Sequence, residues 1–219
     1  MHTFGVLFDW DGVVIDSREQ HRKSWEVIAE RRGLPLPEGH FEKGFGMRNE
    51  QIIPEILAWA SEEDAIRELA DAKESCYREL IRAEGIQPLE GLRPLLESLN
   101  AAGIPCVVGS STPRANIVCA MEITGIAHYF LDVVAGDDVS RGKPDPEVFL
   151  LAAGKAQRAP ENCVVIEDAH VGIEAGRAGG MKVVAVATTH PIEELHGADA
   201  KVENVAAVTL ALLASLFST

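Results

Sequence analysis

Phe4, Val6, Leu7 and Phe8 make a short apolar run that stops abruptly at Asp9. A run of this length closed by turn residues fits a buried strand. Asp9-Trp10-Asp11-Gly12 follows, and Gly12 lets the backbone turn sharply. From Ser17 the apolar period lengthens. Ser17 suits an N-cap with Gln20 three residues on, and Trp25, Ile28 and Ala29 share one face up to Arg32, where Gly33 ends the helix. Pro35 and Pro37 keep the next stretch non-helical, and 41–46, with two glycines, follows it. Helices are expected over about 49–59 and from 61 or 62 to about 82. Residues 17 to about 84 thus contain no strand-like run.

After Gly85 the pattern changes. Leu92, Leu95, Leu96 and Leu99 form one helical stripe that ends near Gly103. Strands are expected over 104–109, 130–135, 163–166 and 182–187, and helices over 114–124, 146–156, 172–178 and 206–216. Strands that alternate with helices of this length build a parallel sheet covered on both faces. The expected architecture is α/β: a Rossmann-like parallel sheet core from residues 1–16 and 86–219, with an α-helical cap, 17–85, inserted after the first strand.

Composition narrows the partners. The chain has 219 residues, 47% of them hydrophobic, which is enough for a substantial core. Its formal net charge of −14 argues against nucleic acid or an anionic membrane as partner, since both require basic surface. A phosphorylated small molecule is compatible, because a metal ion and a few local cations suffice to hold one phosphate. No apolar run is long enough to cross a membrane. The chain starts without a basic-then-apolar leader, so a cytoplasmic location is expected. Cys76, Cys106, Cys119 and Cys163 are scattered without a CxxC pair and read as buried, reduced thiols.

The chemistry sits at the strand ends. Asp9 and Asp11 follow the first strand and Ser110 the second. Lys143 lies in Arg141-Gly142-Lys143-Pro144-Asp145-Pro146 after the third, and Glu167-Asp168 follow the fourth. In a parallel sheet these ends line one edge, where open α/β sheets bind ligands. Two ionised carboxylates one residue apart repel each other unless a cation lies between them. Oxygen donors suit a hard ion such as Mg²⁺. Taken singly, Ser110 reads as a turn hydroxyl, Lys143 as a solvated charge and Glu167-Asp168 as acids favoured at a helix N-terminus. Their joint occurrence, each after a strand, points instead to phosphoryl transfer. A metal and a lysine neutralise phosphoryl oxygens, one carboxylate attacks, and a second acid protonates the leaving oxygen.

These stretches resemble the haloacid dehalogenase-like (HAD) superfamily of aspartate-nucleophile phosphatases and mutases. The match rests on Asp9-Trp10-Asp11-Gly12 with Asp16-Ser17, Val107-Val108-Gly109-Ser110-Ser111, Gly142-Lys143-Pro144-Asp145-Pro146, and Val164-Val165-Ile166-Glu167-Asp168-Ala169 with Gly172-Ile173. The resemblance covers essentially the whole chain. It implies that Asp9 is nucleophile and Mg²⁺ ligand, and that Asp11 is general acid/base with its carbonyl on the metal. Ser110 and Lys143 would hold the transferring phosphoryl group, and Glu167 and Asp168 the metal. It also implies a cap that closes over the site. Asp11 sets the chain apart from the true dehalogenases, which lack that second acid and need no metal.

Within the superfamily the chain is similar to β-phosphoglucomutase and its phosphatase relatives. His21 followed by Trp25, Gly46-Met47-Arg48-Asn49-Glu50 and Lys73 match hinge and cap positions of that group. That likeness makes His21, Gly46, Arg48, Lys73 and Ser111 candidate substrate-binding residues. The mutase's cap arginine stands one position after Arg48, and Trp10 stands where an aliphatic residue is usual. The stretches 46–51, 111–114 and 190–192 also resemble plastid phosphatases acting on a riboflavin precursor. The expected function is a Mg²⁺-dependent phosphatase for a small phosphorylated metabolite such as a sugar phosphate, working as a monomer or weak homo-oligomer. The alternatives are a β-phosphoglucomutase-type phosphomutase and a non-catalytic phosphometabolite-binding protein on the same fold.

Overall fold

A computed structural model describes residues 4–44 and 47–218. The chain divides into two compact units, residues 1–16 with 87–219, and residues 17–86. The first unit is built on six parallel strands: β1 (Gly5–Phe8), β2 (Cys106–Gly109), β3 (Asp132–Val134), β4 (Cys163–Glu167), β5 (Lys182–Val186) and β6 (Ala200–Val202). Their order is β3-β2-β1-β4-β5-β6. Val6 pairs with Cys106 on one side of β1 and with Val164 on the other. Leu7, Val107, Val165 and Val183 point into one apolar cluster. Val6, Val108, Val164 and Val184, one residue out of phase, are equally buried on the opposite face. Both faces are therefore covered, which explains why these strands read as continuous apolar runs.

The second unit is helical. It comprises α1 (Arg18–Arg32), α2 (His40–Gly44), α3 (Asn49–Gln51), a π-helical turn (Ile52–Leu57) and α4 (Glu63–Glu84). α1 and α4 pack together. Trp25, Ile28, Phe41, Ile53, Leu57 and Leu69 form the unit's own core. Gly33 takes the left-handed conformation that closes α1. Ser17 stands at the N-cap position without the side-chain hydrogen bond that a capping box with Gln20 requires. The helix expected over 49–59 is α-helical for three residues only and then widens. Pro54 lies within the widened turn. Its ring removes an N–H and crowds the carbonyl four residues back, and a wider turn relieves that clash. α2 is one turn of helix in a stretch to which the sequence reading assigned no helix.

The helices of the first unit are α5 (Leu92–Ala101), α6 (Arg114–Thr124), α7 (Glu147–Lys155), α8 (His170–Ala178) and α9 (Leu210–Ser215). α7 lies against β2 and β3, and α8 against β4 and β5. The helix expected over 206–216 is split into a 3₁₀ turn, Val205–Ala207, and α9. The break falls at Thr209, whose hydroxyl accepts from the Leu212 N–H at 3.1 Å and starts α9 afresh. β6 has no counterpart in the sequence reading. Its residues are only partly buried, and such an edge strand carries no apolar run to read.

Among the described residues no helix is long and apolar enough to cross a membrane. The four cysteines are buried and free. Burial pushes the Cys106 thiol up to about 12 and the Cys163 thiol up to about 11, which leaves both inert at neutral pH.

Candidate active site

Asp9 is the first residue beyond β1, and its amide N–H reaches across to the Ile166 carbonyl of β4 at 3.0 Å. The pairing sets Asp9 beside Glu167, the last residue of β4. Lys143 enters from the loop after β3 and joins them. Its Nζ donates to Asp9 Oδ1 at 2.6 Å and to Glu167 Oε1 at 2.7 Å. The amine also lies 4.7 Å from the centre of the Phe149 ring on α7. The other Glu167 oxygen accepts from the N–H groups of Asp168 and Ala169 at 2.7 and 2.6 Å. Glu167 is thus fixed at both oxygens. Gly172 makes room for it, since a Cβ there would fall 1.7 Å from Glu167 Oε1.

Asp11 sits immediately before the sharp turn at Gly12. The Val14 N–H returns to the Trp10 carbonyl at 2.8 Å and the Gly12 N–H to the Ile15 carbonyl at 2.9 Å, so 10–15 closes on itself. Gly12 has φ +79°, and a Cβ on it would lie 2.0 Å from Asp168 Oδ2. Asp11 Oδ2 accepts from the Thr112 hydroxyl, and the Thr112 N–H donates to Ser110 Oγ at 3.1 Å. Ser110 and Ser111 occupy the loop after β2, with Ser110 buried and Ser111 half-buried. Asp168 Oδ2 accepts from the Thr189 hydroxyl, and the Gly12 carbonyl accepts from the Thr188 hydroxyl.

The structure therefore gathers Asp9, Asp11, Ser110, Lys143, Glu167 and Asp168 at one edge of the sheet. The sequence reading missed Thr112, Thr188 and Thr189. A signal for the last two existed: they follow β5, as the acids follow β1 and β4.

The charges are unbalanced. Asp9, Glu167 and Asp168 each offer an oxygen, all within 4.8 Å of one another, and all three residues are buried. Burial, with the neighbouring Glu167 and Asp11 charges adding to it, lifts the Asp9 carboxyl from 3.8 to about 7 despite the pull of Lys143. Burial likewise raises Asp168 well above the usual carboxylate range, reinforced by the Glu167 and Asp9 charges. Burial works against the Lys143 cation, but Asp9 and Glu167 outweigh it and hold the amine protonated. One ammonium among these carboxylates leaves surplus negative charge in a dry place. A donor set made only of carboxylate oxygens with a surplus charge fits a hard divalent cation such as Mg²⁺.

In the helical unit, His21 and Lys73 share one network. Lys73 Nζ lies 2.7 Å from His21 Nδ1 and 2.9 Å from Glu74 Oε1, and Glu74 Oε1 also accepts from Asn49 Nδ2 at 2.7 Å. The His21 ring stacks on Tyr77 with centroids 4.1 Å apart. The Lys73 ammonium faces the Trp25 and Tyr77 rings at 5.2 and 5.7 Å. Burial opposes the Glu74 charge, but Lys73 and the His21 and Asn49 contacts pull its carboxyl down to about 2. Lys73 is only 3% exposed, so its amine is engaged inside its own unit. Arg48 stands at the N-cap position of α3, with Nε 3.5 Å from Glu50. Gly46 lies outside the described residues.

Comparison with known proteins places the family and the fold. The profile of haloacid dehalogenase-like hydrolases matches residues 5–180. The 5-amino-6-(5-phospho-D-ribitylamino)uracil phosphatase of Arabidopsis thaliana, a chloroplastic protein, is 36% identical over 98% of this chain and 58% of its own length. Hexitol phosphatase A of Escherichia coli is 32% identical over 96% of this chain and 95% of its own. The crystal structure of β-phosphoglucomutase from Clostridium difficile superposes with a TM-score of 0.86 at 25% identity, covering 98% of this chain and 96% of that one. The chain belongs to the haloacid dehalogenase-like hydrolases. Its relatives include phosphatases of phosphorylated metabolites, and the parallel α/β core read from the sequence is the fold it adopts.

Proposed function

We propose that the chain is a Mg²⁺-dependent phosphatase that hydrolyses phosphomonoesters of small polyhydroxylated metabolites through an aspartyl-phosphate. The observation that carries this reading is the Asp9 carboxylate, held 2.6 Å from the Lys143 ammonium within a cluster of buried carboxylates. Asp9 Oδ attacks phosphorus, and the bond between phosphorus and the ester oxygen breaks. The departing oxygen takes the proton of Asp11, which Thr112 orients through its hydroxyl. Asp11, now a carboxylate, takes a proton from water. The water oxygen attacks phosphorus, the bond to Asp9 breaks, and inorganic phosphate leaves. Lys143 and Ser110 hold the phosphoryl oxygens, and the Lys143 charge offsets the negative charge that builds during transfer. Asp9, Glu167 and Asp168 would hold the Mg²⁺, which supplies Lewis-acid stabilisation of the phosphoryl group when bound.

This substrate class is supported by two phosphatase relatives, whose names specify a phosphorylated ribityl chain and hexitols. Both are polyols. Among the substrate-binding candidates, His21 and Arg48 of the helical unit and Ser111 after β2 are proposed to contact the substrate beyond its phosphate. Lys73 acts with them by fixing His21.

The test is phosphate release from hexitol, pentitol, hexose and pentose phosphates, with and without Mg²⁺, with Asp9→Asn as blank. Release that requires both Asp9 and Mg²⁺ is expected, and turnover by Asp9→Asn equal to wild type would sink the assignment. The structural match to a phosphomutase favours a second reading, in which a sugar hydroxyl replaces water as acceptor. Conversion of β-glucose 1-phosphate to glucose 6-phosphate, primed by the 1,6-bisphosphate and with little free phosphate, would select it.

A further inference from the structure

Three potential ligands outside the carboxylate cluster converge beside it. His170 is the first residue of α8, His190 lies in the loop after β5, and Glu194 follows on the same loop. Each offers one ligand atom, and these atoms lie within 4.8 Å of one another. The two imidazole rings have centroids 4.8 Å apart and are tilted by 44°. His170 and Glu194 are exposed and His190 is half-buried, so the side chains have room to close from this spacing to bonding distance. Their backbones are fixed. His170 is held by the helix, and the Glu194 N–H is tied into a turn on the Pro191 carbonyl at 3.0 Å.

The donor type separates this cluster from its neighbour. Asp9, Glu167 and Asp168 offer only oxygen and are buried. Two neutral imidazoles and one carboxylate instead suit a borderline ion such as Zn²⁺, Co²⁺ or Ni²⁺, with coordination positions left open to water. The α8 dipole opposes a cation at its first turn, and the Glu194 charge offsets this.

We propose that His170, His190 and Glu194 form a second metal site, selective for Zn²⁺-like ions over Mg²⁺. An ion there joins the loop after β4 to the loop after β5. Those loops are already tied by the Thr189 hydroxyl on Asp168, and Thr189 adjoins His190. Occupancy therefore stiffens the support of Asp168 without adding a ligand to it.

The experiment is calorimetric titration of tag-free full-length protein with Zn²⁺ in excess Mg²⁺, for wild type, His170→Ala, His190→Ala and Asp9→Asn, each checked for fold by circular dichroism. One Zn²⁺ site is expected to persist in excess Mg²⁺. Each histidine variant should weaken it by about tenfold or more, and Asp9→Asn should leave it in place. Co²⁺ titration, followed by the ring-nitrogen NMR signals of His170 and His190, reports the ligands directly. No Zn²⁺ binding in excess Mg²⁺, affinity unchanged in both histidine variants, or loss of the site in Asp9→Asn would each overturn the proposal. The last outcome places the ion at the carboxylate cluster.

Discussion

As the proposed nucleophile, Asp9 would have to be ionised to attack phosphorus, yet burial lifts its carboxyl to about 7. The sign of the resulting linkage follows directly. A carboxyl raised in the folded state stabilises the fold in its neutral form. That stability is complete below the unfolded value of 3.8 and is lost as pH rises through about 7. At about 1.4 kcal/mol per unit, the upper bound is on the order of 4 kcal/mol. Asn at this position carries no charge to bury. Asp9→Asn should therefore abolish phosphate release and raise the melting temperature of the metal-free protein at pH 8, with little change at pH 4. A melting temperature at pH 8 that falls or stays level would show that the Asp9 charge is already well compensated. Lys143 supplies most of the compensation that exists. Lys143→Ala should lower kcat by two to three orders of magnitude or more, the size of effect seen when a preorganised charge partner is removed (roughly 10²–10³). A rate near wild type would remove Lys143 from the mechanism.

At the scale of elements, α8 and α4 each carry a close packing problem. Gly172 in α8 faces a Glu167 carboxylate pinned by Lys143 and two amide N–H groups, so a methyl group cannot be accommodated by swinging Glu167 aside. Gly172→Ala should cost about 1–3 kcal/mol by overpacking. It should also weaken Mg²⁺ binding by about tenfold or more, since an outer support of a metal ligand is displaced. Denaturant unfolding and Mg²⁺ titration measure the two effects. On α4, Lys73→Ala strands the buried Glu74 carboxylate, and breaking such a pair costs about 3–5 kcal/mol. Lys73→Met with Glu74→Gln should recover much of that loss. If Lys73→Ala changes KM alone and leaves unfolding untouched, the network is not structural.

How much could be read ahead follows from the same elements. β1, β2, β4 and β5 announce themselves because both sheet faces bury them, while β6 at the edge shows no apolar run. The widened turn at 52–57 was hidden because the helix expected over about 49–59 ran through Pro54 without a break. Asp9, Asp11, Ser110, Lys143, Glu167 and Asp168 could be grouped because parallel topology sends every strand end to one edge. Thr112 could not, since a loop hydroxyl has no periodicity, whereas Thr188 and Thr189 carried the signal of their place after β5. Lys73 reads from sequence as a candidate substrate-binding residue, and its pairing with Glu74 leaves no mark there. Only the fold reveals that it is enclosed by His21, Trp25 and Tyr77.

At the scale of the whole molecule, charge and metal act together. The chain carries a formal −14, and its densest buried negative charge lies among Asp9, Glu167 and Asp168. A cation that binds the folded state stabilises it in proportion to its occupancy. Protons compete for the same oxygens, because the carboxyls of both Asp9 and Asp168 are raised. Mg²⁺ should therefore raise the melting temperature clearly at pH 8 and little at pH 5, and chelation should reverse the gain. An equal shift at both pH values would place the ion elsewhere.

The sheet order has a bearing on how the protein comes into being. β1 is first in the chain and central in the sheet, with Val6 hydrogen-bonded beside Cys106 and Gly5 beside Cys163. During synthesis the strand that leads into Asp9 leaves the ribosome with neither neighbour yet made. It must wait, apolar and unpaired, through the whole helical unit and most of the rest. Pairings this distant in sequence are slow to close. The helical unit, whose contacts are local, can fold in the interval. An arrested nascent chain that stops short of Cys163 thus holds Asp9 without Glu167 or Asp168, and the carboxylate cluster is born only with the fourth strand.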